Sequence, residues 1–471
     1  MNLLSTLRRW LSAPASPRAV TAGWPVGTVA NPDGSASGKL MSLAPAEIAH
    51  HLYVLGGSGG GKSKFLELLV RLLIRHDFGF CLLDPHGDLT QNALAFLFEE
   101  AERRAARRDP ISLDRVYLYE AFEPEVIGLN PLDPGSGCLY PHVTSLVGAF
   151  RRSFSSSWGP HVETLTRNAF LTLAYAGKTL ADAPRLLTEA PFRGDLLRRV
   201  TDPAVRDYWT QRFDSLGDAP RRALVESLLS KLEGGLIADP RLRAMLAQER
   251  TPNLRRLMDS GAWLLFNLSK GQLRESSSLL GSLVVAQLQT AALSRADQPE
   301  SERRPFVLLA DEFQNFQGDD FELILSEARK YRLSLVLAHQ ATAQVGPSLL
   351  ASVFSNVGTQ VFFALSPQDA AAVSRGFSEG SVAEEALVHL PRGSAVLRRR
   401  GKPAERMQVL PVHTPAVDPA EFDAFRRSLR SQHVPPATSS EASPGCQGGP
   451  ALPAPALSGP SAEQVREADD D

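Results

Sequence analysis

The sequence predicts an α/β protein with a parallel-rich sheet and an inserted all-α domain. From Ala49 onward, short apolar runs alternate with stretches whose apolar residues recur at helical spacing, which is typical of a parallel sheet covered by helices. Residues ~141–255 interrupt this alternation, because they hold helical stretches without clear strands. A third observation is a glycine-rich loop between the first apolar run and the first helix.

Composition narrows the class of protein. Of 471 residues, 43% are hydrophobic and 22% charged, which is ordinary for a globular protein and excludes a fibrous or wholly disordered chain. The formal net charge of -2 excludes a surface that is basic throughout, but a local basic channel is compatible with it. Cys81, Cys138 and Cys446 lie too far apart for a zinc site or a disulfide framework, which suits a reducing cytoplasm.

The strands and helices follow in order along the chain. We expect helices at 64–76, 90–108, 162–175, 204–213, 222–232, 276–293 and 321–331. We expect buried strands at 51–55, 79–83, 116–119, 263–268, 306–310, 333–338 and 360–365, and a closing hairpin from 394–399 and 406–412.

These elements suggest four regions. Residues 1–44 form a flexible lead-in with at most one short hairpin, 45–140 and 256–415 form the α/β domain, 141–255 form the all-α insert, and 416–471 form a C-terminal extension. From about residue 432 the extension is a Pro-rich tail with six acids against one base, which we expect to be disordered. Its charge of -5 leaves +3 for the remainder.

No apolar run reaches the about 18–20 residues of a membrane span. Residues 1–11 are compatible with a weak amphipathic anchor, although a frayed terminus is the favoured interpretation. We therefore expect a cytoplasmic protein, with a peripheral position at the inner membrane as the alternative.

The strongest motif is a phosphate-binding loop that matches G-x-x-x-x-G-K-[ST] between a strand and a helix. Glycines let successive N–H groups point inward at an anion, and the helix adds the positive end of its dipole. The lysine would reach the β- and γ-phosphates of ATP, and the hydroxyl would bind Mg²⁺. The candidate residues are Gly57, Ser58, Gly59, Gly60, Gly61, Lys62 and Ser63.

A second motif is the apolar strand 306–310, which ends in Asp311 and Glu312. Acids at the carboxyl end of a parallel strand point into the crevice where ligands bind. We expect Asp311 to hold the Mg²⁺ shell and Glu312 to polarise the attacking water.

Two further residues are candidates for sensing and completing the site. Gln340 follows the strand 333–338 and could sense the γ-phosphate; the alternative is an ordinary loop glutamine, and the preceding His339 could be structural. Arg329 could be offered by a neighbouring subunit to neutralise transition-state charge. The alternative is a solvated charge run, since Lys330 and Arg332 lie beside it.

Other polar groups keep two interpretations. Asp84, His86 and Asp88 could approach the nucleotide or its metal, but a turn set by Pro85 and Gly87 is favoured. The basic stretch 398–402 is either a surface hairpin or a nucleic-acid contact. Four arginine pairs in or beside the insert are most simply solvated helix faces.

An ordered set of motifs behind the phosphate loop resembles the type IV secretion coupling proteins, of the HerA/FtsK group of DNA-pumping ATPases. The resemblance covers roughly residues 49–412. It rests on Leu82–Asp88 (LLDPHGD), Asn267–Gly271 (NLSKG), Leu309–Phe313 (LADEF), Ala328–Tyr331 (ARKY) and Ala338–Gln340 (AHQ).

The resemblance implies a RecA-like P-loop NTPase domain with an inserted all-α domain, assembled as a hexameric ring around DNA. It implies ATP and Mg²⁺ as cofactors, and it places Lys62, Ser63, Asp311, Glu312, Gln340 and Arg329 on the two nucleotide motifs, the sensor and the trans arginine. Coupling proteins usually carry an N-terminal membrane anchor, whereas we expect none here because no apolar run is long enough. Docking to relaxase or secretion-channel proteins is one expectation. Because no anchor is expected, a soluble relative serving plasmid, integrative-element or defence functions is the other.

The leading hypothesis is thus an ATP-dependent DNA translocase of conjugative transfer or related mobile-element processing. The alternatives are a protein-secretion or remodelling ATPase that DNA does not stimulate, and a nucleotide-gated scaffold. Glu312 argues against the scaffold, because a pure switch needs no acid to activate water.

Overall fold

A computed structural model of the chain describes residues 23–30, 36–123, 125–316, 318–375 and 382–434. All of these lie in one compact unit, Met1–Val434, while a second unit, Pro435–Asp471, lies outside the described residues. The expected disordered tail falls mostly on that second unit, and the expected behaviour of residues 1–11 also lies outside the described residues.

The strands of the described residues form one sheet of eleven strands. They are β1 (Trp24–Ala30), β2 (Ala36–Leu43), β3 (Leu52–Leu55), β4 (Gly79–Asp84), β5 (Val116–Tyr119), β6 (Trp263–Asn267), β7 (Phe306–Ala310), β8 (Leu333–His339), β9 (Thr359–Phe362), β10 (Ser394–Arg399) and β11 (Glu405–Val409).

The sheet order is β2-β1-β11-β10-β9-β3-β8-β7-β4-β6-β5. From β9 to β5 all neighbours are parallel, whereas β9, β10, β11, β1 and β2 pair antiparallel. The α/β class with a parallel-rich sheet is therefore confirmed. The predicted strands begin and end within three residues of the observed ones, because a parallel strand buried on both faces is a nearly continuous apolar run.

Helices cover both faces of the sheet. They are α1 (Pro45–Ile48), α2 (Lys62–Arg75), α3 (Asp88–Ala106), α4 (Leu139–Ser153), α5 (Pro160–Tyr175), α6 (Ala183–Thr188), α7 (Ala190–Leu197), α8 (Pro203–Asp207), α9 (Asp218–Leu232), α10 (Pro240–Leu246), α11 (Leu254–Ser260), α12 (Lys270–Leu273), α13 (Ser276–Leu293), α14 (Asp319–Glu327), α15 (Pro347–Asn356), α16 (Pro367–Ser374), α17 (Glu384–Val388) and α18 (Pro419–Ser431).

Two apolar cores lie on opposite faces of the sheet, because side chains alternate along each strand. Leu52 and Val54 of β3 belong to the core beneath α2 and α3, whereas Tyr53 and Leu55 belong to the core beneath α13. Helix α13 is buried nearly all round, since it lies between the sheet and the helices that precede β6.

The segment from α4 to α11 is helical, as the sequence predicted, and its apolar residues join the core beneath α13. Two stretches within it, Tyr208–Phe213 and Glu233–Ile237, are wound as π-helix. The predicted helix at 204–213 is thus α8 continued by a π-helical segment. The exact division into domains stays a prediction.

The expectation of a loose lead-in at 1–44 is wrong for the residues of β1 and β2. These strands form the hairpin that the sequence allowed, but β1 also pairs with β11, with Gly27 opposite Val409. Residues 1–22 and 31–35 lie outside the described residues, so the turn expected at 31–34 does as well.

The extension beyond 416 contains α18, which the sequence analysis did not anticipate. Phe425 packs edge-on against Phe98 of α3, and the α18 guanidinium groups of Arg426 and Arg430 each lie 2.8 Å from a carboxylate oxygen of Glu120. Glu120 directly follows β5 and is buried. The helix is therefore fastened to the edge of the sheet by both apolar packing and ion pairs.

No helix in the described ranges combines the length and the apolar character that crossing a bilayer requires.

Candidate nucleotide-binding site

The glycine loop connects the end of β3 to the start of α2. Gly59 and Gly61 have φ angles of 82° and 120°, which glycine adopts at little cost. A Cβ atom on Gly61 would lie only 3.2 Å from Cα of Gly393. A side chain at this position would therefore strain the loop and press on the strand hairpin behind it.

The loop is fastened to the sheet from behind. The Gly57 N–H donates to the carbonyl of Ala364 at 3.0 Å, and the Gly393 N–H donates to the carbonyl of Gly60 at 2.9 Å. Across the part of the chain that the structure describes, the N–H groups of Gly59, Gly61 and Lys62 donate to no protein acceptor. Such unpaired amides at a helix N-terminus fit an anion.

The acidic pair meets the loop although 250 positions of sequence separate Lys62 from Glu312. Lys62 Nζ lies 2.5 Å from Glu312 Oε1 and 3.6 Å from Asp311 Oδ1, and the three side chains are almost fully buried. β7 ends at Ala310, so both carboxylates leave the carboxyl edge of the parallel strands, where ligands bind in this class of sheet.

Glu312 is held in a fixed orientation. Its φ of 46° is in the left-handed region, which costs a non-glycine residue about 1–3 kcal/mol and is typical of functional sites. Gln340 Nε2 donates to Oε1 at 2.9 Å and Gln314 Nε2 donates to Oε2 at 2.7 Å. Burial raises the pKa of Glu312, but the hydrogen bonds from Gln314 and Lys62 outweigh burial and hold that pKa below its ordinary value.

Asp311 responds differently to the same surroundings. Burial raises the pKa of Asp311 above its ordinary value, although the Lys62 charge opposes this, and the nearby Glu312 and Asp84 carboxylates raise it further. The two carboxyl groups thus have their pKa values moved in opposite directions, a feature of sites that divide roles between paired acids.

Gln340 lies between the loop and the acid because β8 lies between β3 and β7 in the sheet. Its Oε1 accepts a hydrogen bond from Ser58 Oγ at 3.2 Å, while its Nε2 reaches Glu312. The preceding His339 is buried, its Nε2 lies 2.6 Å from the Tyr53 hydroxyl, and burial lowers its pKa to about 4. His339 is accordingly neutral at pH 7 and packs beneath the site.

The group after β4 adopts the turn that the sequence favoured. The Asp84 carboxylate accepts hydrogen bonds from the backbone N–H groups of His86, Gly87 and Thr90 at 3.0, 2.9 and 2.7 Å. Asp84 thereby caps α3, whereas His86 and Asp88 are exposed. Asp84 influences the site through its charge near Asp311.

Arg329 lies at the opposite edge of the sheet, just before β8 begins. The seven residues of β8, at about 3.3 Å each, separate that edge from Gln340 by roughly 20 Å. The exposed Arg329 shares a cleft of about 280 Å³ with His50, Glu300 and Lys330. It therefore cannot reach the nucleotide site of its own chain.

The basic stretch after β10 makes contacts within the fold. Arg398 Nη1 donates to Gln360 Oε1 at 3.0 Å, and Arg399 binds Glu47 Oε1 at 2.6 Å and the carbonyl of Ser42 at 2.7 Å. Arg400 donates to the carbonyl of Ser355. These partners favour the surface-hairpin interpretation.

Sequence reasoning missed two residues of the site. Gln314 holds the second oxygen of Glu312, and its position two residues after the acid was the only available signal. Gly393, the residue before β10, supports the loop from more than 300 positions away, and no local pattern marks it.

The residues also fit a magnesium-bound triphosphate. In the described stretches no three His, Cys, Asp or Glu side chains cluster as a closed metal cage. Mg²⁺ typically binds one or two carboxylates together with substrate phosphates and water, so Ser63 and Asp311 with a triphosphate would be a sufficient set.

Two family models match the chain: "Helicase HerA, central domain" at residues 36–129 and "TraM recognition site of TraD and TraG" at residues 305–404. The first spans the glycine loop and the second spans Asp311, Glu312 and Gln340. The two matched stretches resemble HerA and the TraD and TraG proteins, respectively. The resemblance drawn from the motifs is thereby confirmed. No curated protein matches the sequence.

Solved structures of other proteins share the fold. The plasmid coupling protein TrwB in complex with ADP and Mg²⁺ is 15% identical with a TM-score of 0.58, over 87% of this chain and 98% of TrwB. An unbound form of TrwB is 16% identical with a TM-score of 0.56, over 88% of this chain and 93% of the TrwB chain. VirB4 of Thermoanaerobacter pseudethanolicus is 14% identical with a TM-score of 0.52, over 84% of this chain and 99% of the VirB4 chain. At these identities the likeness establishes the fold: a RecA-like core with helical additions.

Proposed function

We propose that this HerA/FtsK-superfamily chain is an ATP-driven DNA translocase of the conjugative coupling-protein type. The observation that carries the proposal is the meeting of Lys62, Glu312 and Gln340 at the end of the parallel strands. It is supported by the TrwB likeness, since TrwB was solved with ADP and Mg²⁺ and is named as a plasmid coupling protein.

In this proposal the unpaired amides of the loop and Lys62 bind the triphosphate, and Ser63 and Asp311 hold the metal. Mg²⁺, when bound, neutralises charge on the phosphate oxygens. Because Lys62 is paired with Glu312, a triphosphate must draw the ammonium group away from that carboxylate. Nucleotide binding therefore frees one oxygen of Glu312 to accept a hydrogen bond from water.

Glu312 acts as the general base. Its lowered pKa keeps it ionised at neutral pH, so it accepts the proton of the attacking water. Gln340 is hydrogen-bonded both to this carboxylate and to Ser58 of the loop. Loss of the γ-phosphate therefore acts on the end of β8 through these two hydrogen bonds.

Arg329 completes the site of a neighbouring copy. Its position at the far edge of the sheet suits a ring in which the amino edge of one subunit faces the carboxyl edge of the next. We propose a hexamer, with DNA as the transported polymer and with relaxase or secretion-channel proteins as partners. Affinity for DNA would be mainly electrostatic and would fall as salt rises.

The test is the steady-state ATPase rate of the full chain with and without single- and double-stranded DNA, together with electron microscopy of the protein with ATP and DNA. We expect stimulation by at least one form of DNA and a closed ring. A measurable rate that no DNA changes would point instead to a protein-secretion or remodelling ATPase. Absence of any turnover with retained nucleotide binding would point to a scaffold.

A further inference from the structure

Arg329 lies on a short 3₁₀ turn, Ala328–Tyr331, between α14 and β8. The cations beside it, Lys330 and Arg332, have side-chain nitrogens 3.5 and 3.9 Å from a glutamate carboxylate oxygen. Within the part of the chain that the structure describes, the exposed Arg329 guanidinium makes no hydrogen bond or ion pair. Its charge is therefore available to a group that these residues do not supply.

The main chain of this turn is held firmly although the Arg329 side chain is exposed. The carbonyl groups of residues 329, 330 and 331 each accept a hydrogen bond. The first accepts from the backbone N–H of Arg332 at 2.9 Å. The second accepts from Arg303 Nη1, and the third accepts from Arg295 Nη1 at 3.1 Å. Two of the three donors are charged, and hydrogen bonds from charged donors are about twice as strong as neutral ones.

Arg303 joins the turn to the segment that follows α13. Besides the bond to the turn, its Nε donates to the carbonyl of Arg295 at 2.9 Å and its Nη2 donates to the carbonyl of Gln298 at 2.6 Å. Its guanidinium carbon also lies 5.2 Å from the centre of the Tyr331 ring, which is a cation–π distance. Because the guanidinium is planar and rigid, one group holds the two segments at a fixed separation.

Arg295 supports the same segment from beneath. Its side chain is fully buried, and its Nε lies 2.9 Å from Asp259 Oδ1. It belongs to the 3₁₀ segment Ser294–Asp297, which directly continues α13. The turn that carries Arg329 is thus attached to a buried side chain at the end of a buried helix.

We infer that Arg303, supported by Arg295, is a positioning residue for ATP hydrolysis in the neighbouring copy. It fixes the main chain that carries the Arg329 guanidinium, so this cation is oriented before it meets the triphosphate of the neighbour. The inference rests on the proposed function, in which Arg329 acts in trans. An arginine offered in this way accounts for about 10³–10⁵ of a rate, and a misplacement of about 1 Å costs about 10²-fold.

The test replaces Arg303 by methionine, which keeps an unbranched side chain and removes its donors. Arg304→Met is the matched control, because Arg304 is also half-buried but donates to the carbonyls of Ser260 and Asp77, away from the turn. We expect Arg303→Met to lower kcat about 10- to 100-fold. Its KM for ATP should stay within about twofold, since the nucleotide site of the same chain lies roughly 20 Å away. Arg304→Met should keep kcat within about threefold.

Mixed oligomers show on which side of the interface the loss lies. In an equal mixture of Arg303→Met and Glu312→Gln, random assembly makes about a quarter of the interfaces pair an intact turn with an intact base. We expect the ATPase rate to recover toward that fraction of the wild-type rate. In a mixture of Arg303→Met and Arg329→Ala no interface has an intact turn, so we expect no recovery. A general structural defect would also damage the base of the same subunit, and it would abolish recovery in the first mixture.

The outcomes separate this inference from the proposed function. If wild-type turnover is insensitive to DNA, the proposed translocase fails, and the mixtures still test the positioning role. If Arg329→Ala hydrolyses ATP at the wild-type rate, the role in trans fails and the positioning role fails with it.

If Arg329→Ala is impaired and Arg303→Met turns over as Arg304→Met does, only the positioning role is refuted. It is also refuted if Arg303→Met is impaired but does not recover with Glu312→Gln. Binding of a fluorescent ATP analogue shows that each variant is folded. If the methionine variant does not bind it, Arg303→Lys, which keeps the charge and an unbranched stem, is used instead and should give the same pattern in the two mixtures.

Discussion

Replacing Glu312 by glutamine tests its proposed role as general base separately from nucleotide binding. The side chain keeps its size and its left-handed backbone position, but it can no longer accept a proton from water. A positioned base contributes about 10²–10⁴-fold to a rate, so we expect Glu312→Gln to lower kcat by that factor, or about 2.7–5.4 kcal/mol of barrier.

The same substitution should spare or strengthen nucleotide binding. In the wild type, Lys62 Nζ lies 2.5 Å from Glu312 Oε1, so an incoming triphosphate competes with the carboxylate for the ammonium group. With glutamine the competing charge is gone, and Asp311, with Oδ1 at 3.6 Å from Lys62 Nζ, remains as the acidic partner of the ammonium group. We expect the Kd for a non-hydrolysable ATP analogue to stay equal or to fall by up to about tenfold, a change of 1.4 kcal/mol.

The assay combines steady-state phosphate release with equilibrium binding of the analogue. Glu226→Gln, at an exposed position of α9, is the matched control and should behave as wild type. Turnover within about threefold of wild type would refute the assignment of the base. Loss of analogue binding would show instead that Glu312 serves to hold Lys62.

Two further predictions concern Arg329 and α18. Arg329→Ala and Glu312→Gln should each be inactive alone, whereas mixed oligomers should recover a fraction of wild-type ATPase at those interfaces that pair an intact arginine with an intact base; no recovery on mixing would contradict a role in trans. Glu120→Gln removes the charge that holds Arg426 and Arg430, and breaking such a buried pair costs about 3–5 kcal/mol. Urea unfolding should show this loss, and a change below about 1 kcal/mol would mean that α18 is held by its apolar face alone.

The parallel strands were predictable because their sequences are apolar runs of strand length followed by polar residues. The residues of the candidate site directly follow β7 and β8, so the same pattern located both the strands and the polar groups beyond them. The order of the strands was not predictable from local sequence. Only that order shows that Gln340 lies between Ser58 and Glu312.

The missed features depend on long-range pairing. β1 lies in a segment rich in glycine, serine and proline that reads as a linker, and it is ordered because Gly27 pairs opposite Val409. Helix α18 has a Pro at its first position and a capping Asp418, which are recognisable start signals, but they were outweighed by the composition of the tail that follows. Gln314 required the geometry of the turn, since a glutamine near two acids has many ordinary explanations.

The two edges of the sheet explain why turnover should belong to an assembly. The loop, the acids and Gln340 lie at the carboxyl edge, and Arg329 lies roughly 20 Å away at the amino edge. The strands between them are buried and paired on both sides, so no local movement within one chain brings Arg329 to Glu312. If Arg329 acts in hydrolysis, it must therefore act on a neighbour, and a ligand that rotates one subunit against the next would control the rate.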